Sequence, residues 1–187
     1  MTVNFRNLLT AAAGALLLST AVSAQAEGWR FAPVFTDTDF RLEPTLALTL
    51  GAVRPNDGDD DSLGAFGLEA NFNCGLLQSP DNRIRSHLAI SRIDDDGVEV
   101  TTLELSPRYT VPVSAAVSIG VGPSLALLQV DGGKRDEDLF GYGVAAGLNY
   151  RAGSLYAGAD LRYQETTEDH HVDFANWALT AKIGVNF

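Results

Sequence analysis

The chain has 187 residues, enough for one domain, with 13 basic residues against 24 acidic ones and a net charge of −11. That acidity argues against a nucleic-acid partner, which needs a basic footprint. A single cysteine, Cys74, excludes an intrachain disulfide and a cysteine metal cluster.

At the start, Met1 to Asn7 carries one cation, Arg6, and no acid; Leu8 to Val22 is mostly Ala and Leu; and Ala24-Gln25-Ala26 is a small-x-small cleavage site. This is the pattern of a secretory signal peptide. Its apolar stretch, interrupted by Thr10, Ser19 and Thr20, is short of the roughly 20 apolar residues that a membrane span needs. Residues 1–26 are therefore expected to be removed, leaving 161 residues with 12 basic and 24 acidic side chains. No Cys follows the apolar stretch closely enough for a lipoprotein. Residues 27–39, with Trp29, Phe31 and Phe35, fit three readings: a periplasmic lead, a plug, or an extension of the first strand.

From Phe40 onward apolar residues recur at every second position, the period of a strand with one greasy face. Phe40–Val53 directs Leu42, Leu46, Leu48 and Leu50 to that face. Gly64–Cys74 does so with Phe66, Leu68, Ala70 and Phe72, and Arg83–Ile93 with Ile84, Leu88 and Ile90. Val98–Tyr109 presents Leu103, Leu105, Pro107 and Tyr109, and Val117–Val130 presents Val117, Ile119, Val121, Leu125 and Leu127. Leu139–Arg151 presents alternate residues from Phe140 to Tyr150, and Leu155–Glu165 those from Leu155 to Tyr163. The final segment, Phe174–Phe187, aligns Ala175, Trp177, Leu179, Ala181, Ile183, Val185 and Phe187. These are eight strands, each long enough for a tilted span of about 9 to 11 residues. The chain offers few helical patterns to cover so much apolar face, so lipid is the expected cover. The near-zero mean hydropathy is no objection, because a barrel wall alternates lipid-facing and lumen-facing residues.

Three connections are turn-like: Gly75–Asn82, Thr110–Ala115 and Ala152–Ser154. The other four are acidic: 56–61, 94–97, 131–138 and 166–173. Four acidic loops at one end, with three turns and both termini at the other, match long extracellular loops and short periplasmic turns. Composition carries this orientation more than length does.

The alternating strands and the aromatic end of the last one resemble the small eight-stranded bacterial outer-membrane proteins, the group of the OmpA transmembrane domain, OmpX and the neisserial opacity proteins. The resemblance implies an all-β, eight-stranded antiparallel up-and-down transmembrane barrel over residues 40–187, in the outer membrane of a Gram-negative cell. It implies that Trp177, Ile183, Val185 and Phe187 form the sorting signal read by the barrel assembly machinery. With nothing after the last strand, no OmpA-like peptidoglycan-binding domain is expected.

By parity Glu69, Arg85, His87, Glu104, Arg108, Asp160, Arg162 and Lys182 face the lumen. An eight-stranded barrel is just wide enough for side chains to fill it, so buried charges there must pair. Three acids against four permanent cations make a packed polar core the first reading and a small gated channel the second. Interior glycines such as Gly120, Gly122, Gly141, Gly143 and Gly147 either leave a void or make room for Tyr156 or Leu128. His87 reads as a hydrogen-bonded core histidine before it reads as a general base.

On the acidic rim, Asp57, Asp59 and Asp61 have alternating carboxylate spacing, but Ser62 and Leu68 stand where an EF-hand needs Gly and Glu. The rim is a solvated face, with weak divalent-cation binding and bridging to lipopolysaccharide phosphates as the functional alternative. His170-His171 is a weak transition-metal candidate, since neighbours on an extended chain point apart. A barrel enzyme is the rival class. The His-x-Ser-Asn pattern of lipid A deacylases is missing after His87, and an omptin-like set drawn from Asp94–Asp96 and His170 or His171 belongs to larger barrels. The expectation is a monomeric, non-enzymatic barrel without a cofactor, contacting outer-membrane lipid and lipopolysaccharide, with an envelope or surface-interaction role.

Overall fold

A computed structural model describes residues 28–56, 62–95, 98–131, 136–167 and 175–187. The signal segment 1–26, the rim residues Asp57, Asp59, Asp61 and Asp96, and His170 and His171 lie outside the described residues.

The period-two segments form long strands: β2 (Thr45–Pro55), β3 (Leu63–Asn73), β5 (Ile84–Asp95), β6 (Val98–Pro112), β7 (Val117–Asp131), β8 (Asp136–Ala152), β9 (Leu155–Thr166) and β10 (Asn176–Asn186). They close in the order β10-β2-β3-β5-β6-β7-β8-β9, every neighbour antiparallel. Closure pairs the last strand with the first from Asn176↔Pro55 to Asn186↔Thr45. An 11-residue strand such as β10, at about 3.3 Å per residue and a tilt of about 40°, spans about 28 Å, close to the height of an outer-membrane apolar band. No helix among the described residues is long and apolar enough to cross a membrane.

The outward rows are apolar and uncovered: Leu50 is 70% exposed and Leu179 62%. Toward the loop end these rows turn aromatic and then charged. Tyr163 and Trp177 have ring centroids 4.8 Å apart, both Tyr142 and Tyr163 donate hydroxyls to Glu165, and Arg92 pairs with Glu99. Such an aromatic border is where ring and hydroxyl share lipid and water.

Two sequence expectations change here. The first strand begins at Thr45 and not Phe40, because Glu43 takes a left-handed φ of 46° and Pro44 follows it. Ile84, expected on the exposed row, is buried at 8%. The cause is the Gly75–Asn82 connection, which folds back: Gln78 Nε2 donates to the Ile84 carbonyl and Gln78 Oε1 accepts from the Ile84 N–H. A turn closes it, the Asn82 N–H donating to the Ser79 carbonyl at 3.0 Å, with Asn82 at φ 58°. The Ser79 hydroxyl donates to Asp81, holding that carboxyl below its ordinary range.

The unassigned N-terminal segment is not a strand extension. Its β1 (Arg30–Phe31) pairs with β4 (Leu77–Gln78) in a separate two-stranded ribbon, followed by one helical turn, α1 (Pro33–Thr36). The result is a clip on the turn-end rim.

A closed ladder leaves no free edge for detergent to enter. The unheated protein should therefore run faster than the boiled protein on a denaturing gel; equal mobility at both temperatures contradicts closure.

Candidate functional site

The lumen has three levels, each built from the inward rows. At the loop end Val53, Ile93, Val100, Ala126, Leu128, Leu139 and Ala178 pack into an apolar seal. It draws on the inward rows of six strands and adds an apolar level to the polar interior read from the sequence.

Below the seal lie the charges. Lys182 Nζ, on β10, donates to Glu69 Oε1 at 3.0 Å and Oε2 at 3.2 Å on β3, and to Asp160 Oδ2 at 2.9 Å on β9. Arg108 Nη1, on β6, lies 2.8 Å from the same Asp160 oxygen, although its N–H vectors miss hydrogen-bond alignment. His87 Nδ1 is 3.0 Å from Glu69 Oε1, and its ring is within 3.1 Å of the Asn71 amide. A second pair, Arg162 to Glu104 at 2.6 Å, is braced by the Ser124 hydroxyl at 2.8 Å. Charge balances inside each group: two carboxylates between Lys182 and Arg108, one carboxylate on Arg162. Removing one member of such a buried pair costs about 3–5 kcal/mol, because the other stays buried and uncompensated.

The eighth predicted residue, Arg85, stands apart at the turn end. It donates to Asn71, to Asn73 and to the Glu43 carbonyl. Tyr156, already placed inside by the sequence, and Arg151, which was not, complete this level. Arg151 lies 5.2 Å over the Tyr156 ring and donates to Asn71, and Tyr156, fully buried, donates to Asn149 at 2.5 Å. Parity places both inward, and Arg151 was overlooked because it ends its strand.

Glu69, His87 and Asp160 bring ligand atoms within 4.8 Å of one another, a spacing a metal ion could use. The Lys182 ammonium stands between the two carboxylates and supplies the positive charge a cation would bring. Serine beside histidine is also spoken for: Ser106, which faces His87 across the ladder, donates to the Pro123 carbonyl and accepts from Arg108 Nε. A cavity of about 60 Å³ between seal and charges is lined by Thr49, Ser91, Asp160 and Arg162 among others. Asp160 Oδ1 and Arg162 Nε lack a protein partner among the described residues, and the space suffices for a few bridging waters.

Of the interior glycines, Gly120, Gly141 and Gly147 make room for side chains, Leu128 among them but not Tyr156, while Gly122 and Gly143 lie against the backbone of the neighbouring strand. A Cβ on Gly147 would fall 2.2 Å from Asp160 Oδ1 and 2.8 Å from Arg108 Nη1, and one on Gly141 would strike Gln164 and Leu128. On the last strand Trp177, Ile183, Val185 and Phe187 line one lipid-facing row, all at least 46% exposed.

No family model and no curated protein matches the sequence. Solved structures do. Neisserial surface protein A, NspA, superposes with a TM-score of 0.54 at 16% identity, covering 78% of this chain and 95% of its own. The outer membrane protein OprG from Pseudomonas aeruginosa gives a TM-score of 0.53 at 12% identity over 79% of this chain and 97% of its own. The chain has the fold of the small eight-stranded outer-membrane barrels. With its closed ladder, bare apolar belt and aromatic border, it is an outer-membrane β-barrel, and the seal and the paired charges are the filling of that barrel.

Gly147 tests the filling directly. Gly147→Ala should lower the stability of the refolded barrel by about 1–3 kcal/mol through overpacking of the Asp160–Arg108 pair. Gly64→Ala, where a Cβ meets nothing within 4 Å, should change it by less than about 0.5 kcal/mol. Equal effects in urea unfolding from vesicles would contradict the packing described.

Proposed function

We propose that this outer-membrane barrel is a non-enzymatic, non-conducting envelope protein that works through its wall and its acidic outer rim. The observation that carries this reading is the lumen: its mid-level charges are matched to one another and an apolar seal lies above them. An aqueous path would need a continuous polar lining, and the seal interrupts it.

The surroundings of His87 argue the same way. His87 is 2% exposed and held by Glu69 and Asn71, and the serine nearest in register is engaged elsewhere. Hydrolysis of a lipid would need a nucleophile beside a base, open to the substrate. In this reading the acidic loops face the cell exterior, where divalent cations link their carboxylates to lipopolysaccharide phosphates. NspA, a surface protein by name, supports a surface role through fold alone. The last-strand row ending at Phe187 acts as the assembly signal.

A deletion strain separates the alternatives. Its lipid A should be identical to wild type, its envelope should become more permeable to detergents, and purified wild-type barrel in planar bilayers should give no discrete conductance. Altered lipid A acylation would favour an enzyme, and stable conductance steps a channel. A tag inserted at Gly133 should be labelled on intact cells and one at Gly153 should not; the opposite pattern would invert the proposed orientation.

A further inference from the structure

The clip at the turn end lies on the outside of the wall. Tyr109 sits on the outward row of β6, and its hydroxyl donates to Asp81 at 2.9 Å. Ile84, paired with Tyr109 across the ladder and on the same outward row, is nevertheless covered, as is Cys74, whose N–H donates to the Ile84 carbonyl. The connection between β3 and β5 is thus folded over the lipid-facing side of the rim. The N-terminal segment rides on it. Arg30 and Phe31 pair with Gln78 and Leu77, the Ala32 N–H donates to the Leu76 carbonyl at 2.8 Å, and the Val34 side chain rests against Gly75.

The clip is held by polar contacts, by the buried ring of Pro33 and by Val34 against Gly75. Backbone ladders fix β1, the Arg30–Asp37 ion pair closes the segment on itself, and Asp37 also receives the Asp39 N–H. Its large apolar side chains are nevertheless left open: Phe35 is 83% exposed, Leu76 70%, and Trp29, Phe31 and Val34 between 40% and 45%. Four of these five fall within residues 29–35, and the connection they ride on is tied to Tyr109 of the outward apolar row through Asp81. A soluble collar at this place would have its apolar groups turned inward.

We propose that the clip is a membrane-interface foot, with Trp29, Phe31, Val34, Phe35 and Leu76 inserted at the headgroup–acyl boundary of the phospholipid leaflet around the turn end. The foot supplies what the wall lacks there. Interfacial aromatics with an apolar body and a polar edge settle at this depth, and a compact apolar face needs no transmembrane length to bind it. By fixing the depth of the rim, the foot keeps the Ile84–Tyr109 row from sliding into water. Calling this the periplasmic leaflet rests on the orientation proposed above; insertion itself does not.

The chain has two tryptophans, Trp29 and Trp177, so Trp177→Phe leaves Trp29 as the sole indole. The Trp177→Phe protein, refolded in phosphatidylcholine–phosphatidylglycerol vesicles, is compared in lipid brominated near the headgroup, lipid brominated deep in the acyl chains, and aqueous iodide. Trp29 should be quenched several-fold more by shallow bromine than by deep bromine and shielded from iodide. Adding Val34→Ser and Phe35→Ser should reverse this, giving iodide quenching and loss of bromine quenching while the heat-dependent gel shift persists. Trp29 quenched by iodide and by neither brominated lipid overturns the proposal, as does bromine quenching unchanged by the double substitution. Both leaflets carry the bromine, so the readout is independent of barrel direction.

Discussion

Hydrocarbon offers no water to backbone amides, and every unpaired N–H or C=O left in it costs several kcal/mol. A sheet crossing lipid must therefore close, and the 11-residue register from Asn176↔Pro55 to Asn186↔Thr45 is where this one does so. Closure with eight strands then dictates the interior. The lumen is too narrow to hydrate charges as bulk water does, so the charges at mid-lumen have to find counter-charges on other strands. Lys182 between Glu69 and Asp160, Arg108 on Asp160, and Arg162 on Glu104 are that solution.

The same constraint divides the work between the two faces of each strand. Outside, leucines, valines and aromatics are left bare because lipid covers them. Inside, small residues are spent on space: Gly147 admits the Asp160–Arg108 contact and Gly141 admits Gln164 and Leu128. The apolar seal adds a boundary that charge pairing alone would not provide. Its members lie on the loop side of the ion pairs, so the charged stretch of the lumen is bounded there by apolar side chains.

Much of this was legible in the sequence because a β-barrel wall has the simplest periodicity a chain can carry. Parity alone placed eight charged residues on the inward rows and the leucine rows outside. It could not say which charges meet, since Lys182 and Glu69 are 113 residues apart and sit on strands separated by β2. Such contacts depend on the tilt and stagger of the closed ladder, which no single strand records. Parity also misleads where the chain folds back on the wall. Ile84 reads as lipid-facing and is capped by its own preceding turn, and the clip at residues 30–36 has too short a strand to show a period. The seal was readable and went unread: Val53, Ile93 and Val100 are apolar residues on inward rows near the loop ends.

Lys182 and Glu69 neutralise each other inside the lumen. A double-mutant cycle with Lys182→Met and Glu69→Gln, followed by urea unfolding from vesicles, measures that coupling. The two single losses should sum to more than the loss of the double substitution, with a coupling of at least about 1.5 kcal/mol. Additive losses, with a coupling near zero, would contradict it.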